Sequence, residues 1–386
     1  MAILAIPALG VAKGKLDARA WALIDARTGA FLTSHAAARQ LPIASTTKLM
    51  TAYVAMQELP LNRIVHAAPY HPTYGESLLN LRRGQRISVR DLLYGLVLRS
   101  GNDAAYDLAL AAAGSEARFV RQMNLRAAAL GLADTHFANP IGLDERGNHS
   151  SARDLATLTQ HLLRNPVFAR IADSRSARLS SVRPPRRIAS INELLRLAPW
   201  VTGVKTGHTT DARYVLVGSG RRKGVELISV VIGAPTDEDR FRDGLELLKN
   251  GFARYRRHLP VRAGQALATP SIRYSGGELP LRAAHAIAAG TRHGERIGID
   301  VHAPARVEGP IARGTRLGRA TVTVDGLPVG STALRAARAV PAASAFDRVT
   351  GFASEHAILT GTVLFVILIG LALVWRTLWR RRARGR

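Results

Sequence analysis

Three short segments carry residue types that do chemistry together. Ser45-Thr46-Thr47-Lys48 places a hydroxyl and an amine three residues apart. On a helix, positions i and i+3 share a face, so Ser45 and Lys48 can touch. A serine hydroxyl is a poor nucleophile until a neighbouring base takes its proton. A lysine is such a base only when burial or another cation depresses its pKa. Ser100-Gly101-Asn102 follows a helix-like apolar stretch, and Lys205-Thr206-Gly207 enters a strand through His208 and Thr209. The chain has only six lysines (Lys13, Lys15, Lys48, Lys205, Lys223 and Lys249) against a background of arginine. That scarcity matters because a lysine can give up its proton and an arginine effectively cannot. Taken singly, each segment also fits a bland structure: a capping serine with a surface lysine, a polar turn, or an edge strand with a glycine bulge.

In this order the segments form the S-x-x-K, S-x-N and K-T-G set of the penicillin-binding proteins and class A β-lactamases. The set makes physical sense. Ser45 attacks a carbonyl and Lys48 accepts its proton. Ser100 can relay a proton to the leaving amine. Asn102 can orient Lys48 or a substrate amide. Lys205 supplies a second cation that lowers the pKa of Lys48 and attracts an anionic substrate. Thr206 and Gly207 lie where a substrate backbone can add to the strand edge, with Gly207 leaving room for it. Backbone N–H groups of Ser45 and His208 can form an oxyanion hole. Thr209 and Arg240 are candidates to bind a free terminal carboxylate; Arg240 also fits a surface residue paired with Asp237 or Asp243.

The elements that position these residues follow from periodicity. Trp21 to Thr33 reads as two strands around a turn, and an apolar helical pattern starts near Ser45. Val89 to Leu98, Ser115 to Leu130 and the Ser-capped stretch 151–164 read as helices. Tyr214 to Gly220 and Val225 to Gly233 read as adjacent strands, and Asp239 to Arg254 as a last helix. Strands at both ends with helices between predict an α+β domain over 16–256 with a mostly antiparallel sheet. From 257 to 340 short β-type runs alternate with Gly and Pro, and Asp325-Gly326 marks a hairpin, so a small all-β domain is expected.

The ends carry their own signals. Residues 1–12 are apolar with small residues at Gly10 and Ala12, like a signal peptide lacking its positive start. Residues 341–356 read as a linker. Ala357 to Trp375 is a run of nineteen residues without a charge, long enough at ~1.5 Å per residue to cross ~28 Å of hydrocarbon. Arg376, Arg380, Arg381, Arg382, Arg384 and Arg386 follow in a basic tail over 376–386, which predicts a cytoplasmic C-terminus and an extracytoplasmic body. The formal net charge is +26. It fits an Arg-rich solvated surface, or attraction to anionic lipid or wall polymer. Nucleic-acid binding is disfavoured because no basic helix, zinc-finger spacing or aromatic RNA-binding pattern accompanies the charge. With no cysteine, a disulfide scaffold, a Cys-based metal site and a Cys nucleophile are all excluded.

The segments IASTTKLMTAYVAM, RSGNDAAYDLA, THFANPIGLDERGNHSSARDLA, GVKTGHTTDARY and GAPTDEDRF resemble the low-molecular-weight penicillin-binding proteins, the D-Ala-D-Ala carboxypeptidase (peptidase S11) family. GTRLGRATVTVDGLPVGSTAL resembles that family's β-rich second domain. The resemblance covers Trp21 to about Ala339. It implies a serine β-lactamase/DD-peptidase-like domain with a sheet flanked by helices, an acyl-enzyme on Ser45, and removal of the terminal D-Ala from peptidoglycan stem pentapeptides. It also implies covalent capture by β-lactams and no metal or organic cofactor. The spanning segment departs from the amphipathic C-terminal helix frequent in the family. Two other readings remain at this point. A class A β-lactamase needs a deacylating Glu in an E-x-x-x-N loop, and Glu145-Arg146-Gly147-Asn148 falls one residue short. A catalytically silent wall-binding or sensor module is the other.

Overall fold

The computed structural model describes residues 16–274, 276–348, 350 and 357–383. The expected signal-like segment 1–12 lies outside them, as does most of the second half of the expected linker. The chain divides into two compact units, Met1–Arg256 and Arg257–Arg386.

In the first unit, strands β1 (Ala20–Asp25) and β2 (Phe31–His35) precede helix α1 (Lys48–Glu58). The small hairpin β3 (Ile64–His66) and β4 (Arg86–Ser88) leads into α2 (Val89–Leu98), α3 (Asn102–Ala113), α4 (Glu116–Ala129), α5 (Ala152–Leu163) and α6 (Pro166–Ala172). A second hairpin, β5 (Ser176–Leu179) and β6 (Arg186–Ala189), and the short α7 (Leu194–Leu197) come before the long strands β7 (Val201–Thr209), β8 (Arg213–Arg222) and β9 (Val225–Ala234). Helix α8 (Asp237–Ala253) follows. Five strands form one antiparallel sheet in the order β2-β1-β9-β8-β7, which leaves β7 at an edge.

Period-two side-chain alternation makes this sheet the centre of the unit. In β9, Ile228, Val230 and Ile232 face the core built with α1 to α6, where Met50, Leu92, Leu108 and Phe119 are buried. Leu227 and Val231 point the other way, into the core closed by Leu248 and Phe252 of α8. A strand buried on both faces reads as a continuous apolar run, as VELISVVIG does. Helix starts are set by side-chain caps: Ser88, Ser115, Ser151 and Thr236 each accept from the backbone N–H three residues on.

In one place the local structure departs from expectation. Ser45 is not on an α-helix but in a 3-10 turn, Ala44–Thr47, that feeds α1. Thr46 N donates to Ile43 O at 3.2 Å, closing that turn, and Ala44 takes a positive φ of 49°. The tighter winding strengthens the i, i+3 argument, because at three residues per turn Ser45 and Lys48 eclipse.

The second unit is β-rich. Strands Ala266–Ala268, Leu281–Ala283, Leu327–Ala336, Arg316–Val324 and Ile297–His302 form its main sheet in that order. Asp325 and Gly326, both at positive φ, turn Val324 onto Leu327 as the Asp-Gly signal requires. Residues Ala357–Ala383 form a helix on which Phe365 to Trp375 include several exposed apolar side chains. Among the described residues no helix is long and apolar enough to cross a membrane, so the structure does not show the span expected over 357–375.

Candidate active site

The first corner of the site is the turn before α1. Lys48 Nζ donates to Ser45 Oγ at 2.9 Å and also to Ile141 O. Lys48 is 1% exposed, while Ser45 is half-buried and so open to a substrate. The segment carrying Ile141 is locked from two sides. Asn139 Oδ1 accepts from Gly142 N at 2.6 Å, and Thr51 Oγ1 donates to Pro140 O at 2.6 Å. Gly142, at φ 85°, presses on the nucleophile's turn so closely that a Cβ there would sit 2.1 Å from Ala44 O.

The second corner joins α2 to α3. Ser100 holds a left-handed backbone, φ 58°, and its Oγ accepts from Lys205 Nζ at 2.8 Å. Asn102 opens α3, and its Nδ2 donates to Glu76 Oε2 at 2.7 Å. Its Oδ1 is buried without a protein partner. The structure therefore brings Asn102 to a carboxylate that the sequence did not single out, and shows no bond from it to Lys48.

The third element is the edge strand β7. Lys205, 1% exposed, also donates to Thr206 O at 2.7 Å. A Cβ on Gly207 would lie 3.0 Å from Ser45 N and 3.1 Å from Ile43 O, so only glycine lets the strand approach the nucleophile's backbone this closely. Thr206 is buried, whereas His208 is exposed and its ring lies 4.3 Å from that of Tyr214. Thr209 Oγ1 donates to Asp144 Oδ1 at 2.6 Å. Its single proton is thereby engaged, which departs from the expectation that it donates to a substrate carboxylate. Arg240, 8% exposed, donates through Nη1 to Gly207 O at 2.8 Å and pairs with Asp237 through Nη2. Its Nε is buried without a partner. Arg240 is paired with Asp237 as one expectation had it, but it is buried and not at the surface, and its other contact is the carbonyl of Gly207 on the K-T-G strand.

Burial pulls the Lys48 amine down to about 7, against the opposing pull of Glu76 and Asp103. Burial also holds Lys205 well below its ordinary value, reinforced by the nearby charges of Lys48 and Arg240. Burial is thus the largest cause of the Lys48 shift, and the charges of Lys48 and Lys205 also oppose each other. Burial and the repulsion between the two amines favour a neutral amine in this site. A neutral lysine amine keeps two N–H donors and exposes one lone pair. Lys48 can then hold Ser45 Oγ in place and take its proton.

Four supporting groups were missed by sequence reasoning. Glu76 lies in the long connection between β3 and β4. Asp103 accepts from Leu79 N at 2.8 Å and from Leu81 N at 2.9 Å, tying that connection to α3. Asp144 restrains Thr209, and Ile141 offers only a backbone carbonyl. None sits in a periodic pattern, so the only available signal was the acidic residue beside the S-x-N segment, Asp103. The β-lactamase look-alike resolves differently. Glu145 is exposed and accepts from Asn139 Nδ2 at 2.9 Å, so it braces the 139–148 loop. Among the described residues no group of three or more acidic or histidine side chains is placed to hold a metal ion.

Comparison with known proteins agrees with this geometry. The sequence matches the profile of the peptidase S11, D-alanyl-D-alanine carboxypeptidase, family over residues 8–236. It is 30% identical over 320 residues to the D-alanyl-D-alanine carboxypeptidase DacF of Bacillus subtilis, covering 80% of this chain and 82% of that one. It is 36% identical over 270 residues to DacC of Escherichia coli, covering 67% and 66%. Among solved structures, penicillin-binding protein 5 from Haemophilus influenzae superimposes with a TM-score of 0.60 at 28% identity, covering 86% of this chain and 100% of that one. A D-alanyl-D-alanine carboxypeptidase from Mycobacterium tuberculosis does so with 0.59 at 35% identity, covering 64% and 95%. With the paired serines and lysines on one side of an antiparallel sheet and more than half of the sequence inside the family profile, the chain belongs to the D-alanyl-D-alanine carboxypeptidase family, peptidase S11.

Proposed function

We propose that the chain is a serine D-Ala-D-Ala carboxypeptidase in which Ser45, Lys48, Ser100, Asn102 and Lys205 carry the reaction. The observation that carries this reading is the doubled pairing: two fully buried lysines, each within 2.9 Å of a serine hydroxyl, at 2.9 Å for Lys48 and 2.8 Å for Lys205. Burying a charged lysine is costly, and a buried lysine lowers that cost by giving up its proton, which is the form a general base needs.

In the proposed sequence, a stem pentapeptide adds its terminal residues along the free edge of β7 beside Thr206 and Gly207. Neutral Lys48 takes the Ser45 proton as Oγ attacks the carbonyl of the penultimate D-alanine. Backbone N–H groups of Ser45 and His208 stabilise the developing oxyanion. Ser100, held by Lys205, passes a proton to the departing D-alanine amine and recovers one from protonated Lys48, which returns to its neutral form. Water then cleaves the acyl-Ser45 ester, with Lys48 again serving as base. Arg240 contributes positive charge at the strand where the terminal carboxylate arrives. β-Lactams mimic the same acylation and stay on Ser45. Glu145 accepts from Asn139 and braces its own loop, and its spacing to Asn148 is one residue short of the E-x-x-x-N of a class A β-lactamase, which favours a carboxypeptidase.

Labelling with a fluorescent penicillin, followed by peptide mapping, tests the reading. A long-lived adduct on Ser45 together with D-alanine release from a pentapeptide is the expected result. Rapid turnover of the drug would indicate a β-lactamase, and no adduct at all a silent wall-binding module.

We also propose that residues 16–256 form the catalytic domain, that 257–340 form a β-rich spacer, and that 357–375 anchor the chain with the enzyme outside the cytoplasm. The uncharged run followed by arginines supports this orientation. A reporter fused after Arg386 is expected in the cytoplasm. Extraction of the full chain by high salt alone would indicate peripheral attachment instead.

A further inference from the structure

The connection between β3 and β4 is pinned to the first turns of α3 at several points. Ala68 N donates to Asp107 Oδ1 at 2.8 Å, and Asp103 takes the N–H groups of Leu79 and Leu81. The ring of Tyr70 lies 5.5 Å from that of Tyr106. Within this clasp Glu76 is saturated. Its Oε1 accepts from Thr73 N and Thr73 Oγ1, both at 2.8 Å. Its Oε2 accepts from Tyr70 Oη and from Asn102 Nδ2.

An ionised carboxylate only accepts, so the side of the Asn102 amide that faces it must be the nitrogen. Burial works against the Glu76 charge, but the bonds from Asn102, Tyr70 and Thr73 outweigh it and hold its pKa below the ordinary value. The amide therefore has one orientation, and its buried Oδ1 remains an acceptor with no protein donor. Resting on the reading of Ser45 and Lys48 as the acylating pair, we propose that Glu76 is a positioning residue: it fixes the orientation of the Asn102 amide, with Nδ2 turned to the carboxylate and Oδ1 kept as the acceptor inside the site.

Glu76→Gln tests this, because a glutamine can donate as well as accept and no longer dictates the amide's orientation. The expected fall in kcat/KM for D-alanine release is about tenfold to a hundredfold. In the Asn102→Ala background the same change is expected to cost less than about twofold, because the group it orients is gone. Glu76→Asp, which keeps the charge, is expected to retain more activity than Glu76→Gln. A second readout separates positioning from mere support of the fold. Lys48 is faced by the carboxylates of Glu76 and Asp103 and by the ammonium of Lys205, with Arg240 beyond it. Removing one anion favours its neutral form, so the acid limb of Ser45 acylation is expected to move to lower pH in Glu76→Gln.

Equal losses with and without Asn102, an unshifted acid limb, or an unchanged rate would each overturn the proposal. Should Glu76→Gln fail to fold, Tyr70→Phe removes one donor to the carboxylate and is expected to give a smaller loss that also vanishes with Asn102→Ala; persistence of that loss would overturn it equally. A wild-type chain that forms no adduct on Ser45 brings down the active-site reading and this inference together. Additive losses in an acylating wild type bring down the inference alone.

Discussion

The two units treat buried polarity in opposite ways. The first buries Lys48, Lys205, Arg240, Asp103, Asp107, Asp154 and Asp243 among its apolar residues. Among the described residues of the second, the buried polar side chains are Thr291, Thr323 and Thr332, set in a core of Val322, Val324 and Leu334. Burying a charge costs several kcal/mol unless partners compensate it. The first unit accepts that cost for Asp154 on α5 and Asp243 on α8, which neighbouring groups compensate, and for Lys48, Lys205 and Asp103 at the junction of α1, α3 and β7, where Ser45 and Ser100 lie. The second has an ordinary sheet core with nothing reactive inside. The contrast teaches that chemistry in this chain sits where lysines have been taken out of water beside serine hydroxyls, and that surface charge, however abundant, is a separate matter.

The largest test of that contrast is Ser45→Ala. It should abolish the penicillin adduct and lower D-alanine release by about 10⁴-fold or more, while circular dichroism and the unfolding midpoint stay close to wild type. An adduct mapped to another serine would break the assignment.

Next come the lysines. Lys48→Arg should be nearly inactive, because arginine keeps the charge but cannot take a proton. Lys205→Arg should retain more activity if Lys205 acts chiefly through its charge, and equal tolerance at both positions would erase the distinction between them. The same lysine sets the pH dependence. With Lys48 at about 7, acylation should rise through neutral pH and fall about tenfold per unit below it. Linkage gives the matching stability trend. The unfolded lysine holds its proton up to about 10.5 and the folded one releases it near 7. Unfolding therefore takes up a proton between those values, and this residue makes the fold more stable as pH rises through that window. A chemical-denaturation series across that window checks the sign.

A smaller effect is expected at the rim. A charge-assisted hydrogen bond is worth roughly 1.5–3 kcal/mol, so Arg240→Ala should cost about tenfold to a hundredfold on a free-carboxylate peptide. It should cost much less on an amidated analogue. Comparable losses on both would reassign Arg240 to holding Gly207 O and Asp237. The smallest effect belongs to the far end of the chain: deleting 357–386 should release the protein from membranes and change D-alanine release by no more than about twofold.

Much of this arrangement was legible because it depends on periodicity and short-range spacing. Val89–Leu98 and the stretch from Ser115 were placed from their helical pattern, and Ser151 and the Asp325-Gly326 turn from local side-chain chemistry. The three motif segments identified Ser45, Ser100 and Lys205 because family resemblance fixes their order. What stayed hidden is contact between parts of the chain that are far apart. Glu76 meets Asn102 across 26 positions, Lys48 meets Ile141 across 93, and Thr209 meets Asp144 across 65. No repeat or composition marks such pairs, since each arises only when the loops close over the helices. Helix α3 was missed because Ser100-Gly101-Asn102 reads as a turn, and it is a turn that also starts a helix.

Ser100 has a consequence for anyone who would redesign this protein. Its left-handed backbone suits glycine, and a residue with a side chain costs roughly 1–2 kcal/mol there. An algorithm that scored only the backbone would write glycine at position 100. The resulting chain would have lost the hydroxyl that Lys205 holds. The discomfort of this one peptide is thus a signature of use, and a redesign that does not also demand turnover will select against the enzyme itself.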